Sequence, residues 1–216
     1  MQEAHNVQVE ERHYSKGSYN TLERFISYYY QIRAVERLNV KSILEIGVGS
    51  KVCANSLKEY GLQVTTCDFD KSVLPDIVAD VRALPIDDRS FDVSMACQVL
   101  EHIPFEDFEK ALKELKRVAQ KFVVISLPYR STYFEMVLKF PFIRKIFKRN
   151  FFDISVGIPL KFGGFDTSGQ HYWEIGRAPY AAKTIRSILR KHFEIIEEFS
   201  PVLNKYHRFF ILKIKQ

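Results

Sequence analysis

The segment Ser42-Ile43-Leu44-Glu45-Ile46-Gly47-Val48-Gly49 constrains this chain more than any other. It reads as a short buried strand running into a glycine turn, and the residues that follow, Val52 to Tyr60, carry a helical pattern that stops at Gly61. Strand, glycine turn and helix are the first half of a βαβ unit. Glycine at that junction lets backbone approach a ligand that a β-carbon would exclude. A nicotinamide dinucleotide fingerprint would need a further glycine at position 52, which is Val52.

The remaining periodicities extend the unit. Leu62 to Cys67 supplies a second strand that leads into Asp68 and Asp70, Asp76 to Ala79 a short third ending at Asp80, Phe91 to Cys97 a fourth, and Lys121 to Leu127 a fifth. Between the last two, Phe105, Phe108, Ala111, Leu112, Leu115 and Val118 fall on one face of a helix with charges opposite. An earlier helix is expected from about Tyr19 to Leu38, with Leu22, Phe25, Ile26, Tyr29, Ile32, Val35 and Leu38 on its buried face, while the first fifteen or so residues read as loose. Pro179 to Leu189 is a further helix. His192 to Phe199 and Arg208 to Ile214 are strands joined by a short turn, hence antiparallel neighbours. Strands alternating with helices need crossover connections, so the expected class is α/β: a Rossmann-like, mainly parallel sheet with helices on both faces and a C-terminal antiparallel hairpin.

Composition excludes several alternatives. A chain of 216 residues with a net charge of +6 suffices for one well-filled domain spanning 1–216. Cys53, Cys67 and Cys97 form an odd set without a CxxC pair or interleaved histidines, which argues against a disulfide framework or a metal site and fits a reducing cytoplasm. The N-terminus lacks a secretory pattern and no apolar run is long enough to span a bilayer, so a cytoplasmic location is expected, with membrane association through a surface segment left open.

Ile43-Leu44-Glu45-Ile46-Gly47-Val48-Gly49, Asp68, Ala79-Asp80-Val81-Arg82-Ala83-Leu84-Pro85, Phe91-Asp92-Val93 and Val99-Leu100-Glu101-His102-Ile103 occur in order. Together they resemble the class I S-adenosylmethionine-dependent methyltransferases of the type 11, ubiquinone-biosynthesis-like group, over roughly residues 40 to 128. The resemblance implies a seven-stranded sheet and S-adenosylmethionine as methyl donor. It places Glu45 and the backbone of Gly47 and Gly49 against the methionine part, Asp68 on the ribose and Phe69 beside the adenine. Asp80 would accept from the adenine amino group, Val81 would give a backbone contact, and Gln98 would lie beside the transferring methyl. One position departs: where the group has a third glycine this chain has Lys51, whose side chain is expected to run along its stem into solvent. The same residues also have plain structural uses, Asp68 and Asp80 as caps or solvated loop residues and Phe69 as core packing.

The segment 129–176 follows this donor core and precedes the C-terminal helix and hairpin, 177–216; it is expected to be an acceptor-side insertion or lid. Its run Gly169-Gln170-His171-Tyr172-Trp173-Glu174-Ile175-Gly176 holds the chain's single tryptophan. If the acceptor is a hydroxyl, His171 is a candidate base, with His102 a second candidate whose structural use is to cap or pack the next helix. Tyr172 and Trp173 either wall a pocket or pin the loop. Residues 129–162 have no clear strand period and carry Arg130, Lys139, Arg144, Lys145, Lys148, Arg149 and Lys161 against Glu135 and Asp153. Interleaved with phenylalanines and aliphatics, and with Pro141 breaking any long helix, they read as a cap over the site or a peripheral contact with anionic lipid. The expected function is methyl transfer to a small-molecule or lipid-linked acceptor, at oxygen. Two alternatives stay open: an RNA methyltransferase using the basic aromatic segment, less favoured because no separate RNA-binding module is present, and a non-catalytic adenosine-ligand-binding scaffold, which Lys51 keeps in play.

Overall fold

A computed structural model describes residues 21–158 and 171–215. The loose N-terminal stretch, the start of the first helix at Tyr19, and Lys161, Gly169 and Gln170 lie outside the described residues. The elements run α1 (Leu22–Glu36), β1 (Ser42–Ile46), α2 (Val52–Glu59), β2 (Gln63–Asp68), β3 (Ile77–Val78), β4 (Phe91–Cys97), α3 (Phe105–Val118), β5 (Ala119–Pro128), β6 (Thr132–Leu138), α4 (Ile143–Phe147), β7 (Phe152–Ile158), α5 (Ala182–His192), β8 (Phe193–Phe199) and β9 (His207–Ile214).

Seven strands form one sheet in the order β3-β2-β1-β4-β5-β9-β8. The first five are parallel; β9 pairs antiparallel with both β5 and β8. The chain starts in the middle of the sheet at β1, moves outward to β2 and β3, then crosses back to β4. The order therefore reverses between β1 and β4, which opens a crevice at their carboxyl ends where ligands of such sheets bind.

Two apolar layers hold the sheet. On one side α3 buries Phe108, Ala111, Leu112, Leu115 and Val118 together with Ile185 and Leu189 of α5. Each such large side chain, removed from water, stabilises the fold by roughly 1.5–3 kcal/mol. On the other side Val35 of α1 and Cys53, Ala54 and Leu57 of α2 pack against Ile43, Val93, Met95, Val124 and Ile211.

Two expectations need correction. The buried face of α1 is Ser27, Gln31, Ala34 and Val35, whereas Leu22, Phe25 and Tyr29 are exposed. The polar members are satisfied internally: Gln31 Nε2 donates to Ser27 Oγ at 3.1 Å, and His207 Nδ1 lies 2.8 Å from the same hydroxyl. A hydrogen-bonded polar stripe is thus buried as readily as an apolar one. The segment 129–162 does contain strands: β6 and β7 form a separate antiparallel ribbon, in register from Thr132–Ile158 to Leu138–Phe152. Its strands share one apolar face, with Phe134, Met136 and Leu138 beside Ile154 and Val156, and that face is exposed instead of buried, so the alternation does not mark a core-facing strand.

Asp92 fixes the entry to the sheet. Its Oδ2 accepts from the Lys41 and Ser42 amides at 2.8 and 3.2 Å, and its Oδ1 pairs with Lys121 Nζ at 2.7 Å. The Lys121 contact, then the two amides, hold its carboxyl below the ordinary aspartate value of 3.8. Asp92→Ala should lower the unfolding free energy by about 1–3 kcal/mol in urea titration with the denaturant slope unchanged. Because the folded value is depressed, the wild-type advantage should be present above the ordinary value of 3.8 and vanish as pH falls through the lowered one.

Candidate active site

The carboxyl ends of β1, β2 and β4 converge on the glycine turn. The Gly47 N–H donates to the Cys67 carbonyl at 2.9 Å, tying the turn to β2. Gly47 has φ +80°, and a β-carbon there would come within 2.2 Å of Val99 Cγ2 on the loop after β4. Two independent constraints therefore demand glycine. Gly49 also has positive φ, +49°. Lys51 follows at φ +61°, a left-handed conformation that a non-glycine residue adopts at a penalty of roughly 1–2 kcal/mol. The backbone shape of the glycine-rich turn is thus kept. The Lys51 side chain, however, does not run into solvent as expected: its Nζ donates to the Leu74 carbonyl at 2.5 Å, bridging the loops after β1 and β2.

Asp68 ends β2 with only 6% exposure. Its Oδ2 accepts from the Val48 N–H at 2.8 Å and its Oδ1 from the Asp70 N–H at 3.0 Å. Burial raises its pKa and these amides oppose the rise. With the Phe69 amide also directed at it, the carboxylate still keeps at least one lone pair to offer. Glu45, one strand over, is 4% exposed and its Oε2 is buried without a hydrogen-bond partner. Burial pushes its pKa up to about 8, against the pull of a hydrogen bond with Cys53 and the charge of Lys58.

The other positions expected to meet the donor follow the ends of β2, β3 and β4. Phe69 is 42% exposed and Val81 is buried. Asp80 is clasped by its own neighbour: Arg82 donates to it from the backbone N–H at 2.8 Å, from Nε at 3.0 Å and from Nη2 at 2.8 Å, and Arg82 Nη1 reaches Asp107 at 2.5 Å. Gln98, at φ +56°, turns the chain out of β4; its amide donates to the Ser126 carbonyl at 2.9 Å and its Nε2 to Ser126 Oγ at 3.2 Å.

Directly after this turn, a short 3-10 turn (Leu100–His102) brings His102 to face His171, ring centroids 5.0 Å apart at 76°. Their loops are laced together by the Tyr172 N–H on the Glu101 carbonyl at 2.9 Å and by Trp173 Nε1 on the Ile103 carbonyl at 3.2 Å. Trp173 is fully buried against Phe105, Phe108 and Tyr180, so it pins the loop, whereas Tyr172 is exposed. Behind His171, Nδ1 lies 2.9 Å from Glu174 Oε1, which also accepts from the Tyr206 hydroxyl at 2.6 Å. These contacts, His171 first, hold the Glu174 carboxyl below its ordinary range despite burial. Glu101 is fully buried with neither carboxylate oxygen hydrogen-bonded, and burial pushes its pKa up to about 7 while His171 pulls it down. Donor-capable atoms of Glu101, His102 and His171 lie within 4.8 Å of one another.

Sequence reasoning named both histidines but missed Glu101, Glu174, Tyr206 and Arg82 as site members. Glu174 is flanked by Trp173 and Ile175, a signal of buried charge, and Glu101 sits between Leu100 and His102; Tyr206 has no local signal, because only the fold brings it to Glu174 across 32 residues.

Residues 44–138 match the family model described as a methyltransferase domain. Among solved structures, the fold is similar to a SAM dependent methyltransferase from Aquifex aeolicus (TM-score 0.61, 12% identity, 96% of this chain and 100% of that one covered). It is also similar to the N-methyltransferase NodS from Bradyrhizobium japonicum WM9, solved with S-adenosyl-L-homocysteine (0.60, 10%, 95% and 96%). A third is the magnesium protoporphyrin IX methyltransferase from Synechocystis PCC 6803, also solved with S-adenosyl-L-homocysteine (0.59, 15%, 89% and 83%). No curated protein sequence matches the chain. The chain carries a methyltransferase domain on the class I S-adenosylmethionine-dependent methyltransferase fold.

Gly47→Ala should destabilise the protein by about 1–3 kcal/mol, from the overpacked β-carbon and the positive φ together. In a double-mutant cycle read by urea unfolding, Val99→Ala should recover the steric part and leave the backbone part. Strict additivity of the two substitutions would show that the Val99 contact does not constrain the turn.

Proposed function

We propose that the protein transfers the methyl group of S-adenosylmethionine to a hydroxyl oxygen of a small-molecule or lipid-linked acceptor. The observation that carries this reading is the pairing of two buried acids around the glycine turn, Glu45 with an orphaned oxygen and Asp68 with a lone pair to spare, with the His171–Glu174 pair facing His102, which lies one turn beyond β4. A buried, unpartnered carboxyl is costly unless something cationic or hydrogen-bonding meets it. The ammonium group of a bound amino acid fits Glu45, and the vicinal hydroxyls of a ribose fit Asp68. We assign Phe69, Asp80 and Val81 to the adenine and Gln98 to the reacting end, with residues 40–128 as donor core and 129–176 on the acceptor side.

Bound there, S-adenosylmethionine supplies an electrophilic methyl group on a sulfonium. The chain's own work is to align the acceptor with it, exclude water and take a proton. His171 would take the hydroxyl proton as the acceptor oxygen accepts the methyl group, with the thioether S-adenosylhomocysteine as the leaving group. Glu174 fixes the ring and offsets the imidazolium charge, as a carboxylate behind a histidine does in hydrolytic triads; His102 faces the same space and orients the acceptor. The similar enzymes are named for porphyrin, glycopeptide and N-methyl transfer, so fold does not choose the atom. The histidine–carboxylate pair supports oxygen, because a neutral amine attacks without prior loss of a proton.

Calorimetric titration with S-adenosylmethionine and S-adenosylhomocysteine tests the donor site. Asp68→Asn and Glu45→Gln should each weaken both ligands at least about tenfold. Glu45, with its pKa raised to about 8, is mostly protonated at neutral pH in the free protein. An arriving ammonium favours the carboxylate, so binding should release a fraction of a proton, read from the buffer dependence of the enthalpy, and affinity should rise as pH climbs toward 8. The release should disappear in Glu45→Gln. His171→Ala should leave donor affinity unchanged and lower kcat by roughly 10²–10⁴ with a hydroxylated acceptor. A wild-type protein that binds neither ligand would favour the scaffold reading.

A further inference from the structure

Among the described residues the β6–β7 ribbon pairs with no strand of the main sheet; the face of Glu135 and Asp153 packs against the β8–β9 loop, while the opposite, apolar face is left in water. Phe134, Leu138, Ile154 and Val156 are 39–56% exposed. A β-carbon added at Gly157 would meet nothing within 4 Å. At the ribbon's closed end Phe142, Ile146 and Phe147 are 73%, 66% and 50% exposed around the single helical turn of α4. A two-stranded ribbon that leaves a continuous apolar face in water is unstable unless something covers that face.

Charge along the ribbon is segregated. Its two acids, Glu135 and Asp153, are both taken up by the β8–β9 loop: Lys205 Nζ lies 3.0 and 2.8 Å from them, and the Leu203 N–H donates to both oxygens of Glu135 at 3.1 Å. The closed end, 139–152, carries Lys139, Arg144, Lys145, Lys148 and Arg149 and no acid. The open end adjoins the acceptor side: Tyr129 bridges to Ile175, next to Glu174, and the Arg130 N–H donates to the Ile175 carbonyl at 2.8 Å.

We infer that the closed end of this ribbon docks on an anionic lipid surface, its phenylalanines and Ile146 entering the headgroup–acyl boundary while the five cations meet lipid phosphates. Bulky apolar side chains interleaved with uncompensated lysine and arginine are the composition of an interfacial anchor. A second copy of the chain fits worse, because a two-fold contact sets the same patch against itself and would bring five cations against five. RNA also fits worse: Leu138, Ile146, Ile154 and Val156 have no ring to stack on bases. Among the described residues no helix is long and apolar enough to cross a membrane, so the contact is peripheral. The docking is independent of the chemistry proposed above. The corollary that the acceptor is lipid-linked, reaching His171 from the ribbon's open end, rests on that reading.

Co-sedimentation of the full chain with vesicles of phosphatidylcholine, with and without phosphatidylglycerol, tests the inference. Binding is expected to the anionic vesicles alone and to weaken with salt. Lys145→Glu with Lys148→Glu should lower the partition coefficient by well over tenfold, at about fivefold or more per charge removed. Phe142→Asp should lower it comparably, and neither variant should alter S-adenosylmethionine affinity. No binding to anionic vesicles, equal binding to neutral ones, or unchanged binding by both variants would overturn it. So would a chain that leaves the vesicles unbound while dimerising in gel filtration or shifting RNA on a gel. Donor binding measured on the same samples keeps a failure of lipid docking distinct from a failure of the methyl-transfer reading.

Discussion

The Asp68 carboxylate is the contact on which the rest of the site depends. It stands at the end of β2, yet accepts the Val48 N–H from the turn after β1 and the Asp70 N–H from its own loop. With the Gly47 N–H on the Cys67 carbonyl, it stitches two parallel strands at their carboxyl ends, where the sheet ladder has run out of partners. A turn held this way cannot swing outward, and its inner side is closed by Val99 against Gly47. The crevice made by strand reversal between β1 and β4 is therefore a fixed cradle before any ligand arrives. Preorganisation of that kind lets binding energy go to alignment instead of loop ordering.

The strands and the long helix were legible because each buries one kind of side chain with one period. Ser42–Ile46, Phe91–Cys97 and Phe105–Val118 coincide with their expected spans, since tertiary packing and local pattern agree there. The α1 face was misread because periodicity counts apolar residues, whereas burial was decided by Ser27 and Gln31 satisfying each other and His207 from 180 residues away. The ribbon was missed for the opposite reason. Alternation is read as a strand when its apolar face meets a core, and in β6 and β7 the apolar face is the one left in water while Glu135 and Asp153 on the other face are held by the β8–β9 loop.

For the candidate site, the sequence named Glu45, the two glycines, Asp68 and the histidines; of these, Glu45, the glycines, Asp68 and His102 lie at or just beyond strand ends. What it lacked was the partner of each. Nothing near Asp80 in sequence announces that Arg82 folds back on it and on to Asp107, and Lys51 could be read only as a break in a glycine pattern. The structure gives Lys51 a role, holding a left-handed turn while its ammonium ties down the Leu74 carbonyl. That bridge offsets part of the backbone strain and keeps the turn's shape without the third glycine.

Glu45 and Glu101 are buried acids with unsatisfied oxygens, and burial pushes their values up to about 8 and about 7. Folding alone gains nothing from either; apolar residues of similar size would pack the same space at less desolvation cost. Asp92 and Glu198, by contrast, are held below their ordinary range by cations or amides on the protein itself. Acids with partners thus secure the scaffold, while acids without them mark where the molecule expects something from outside. Under the function proposed above, that division assigns Glu45 to the donor and Glu101, beside His102 and His171, to the acceptor.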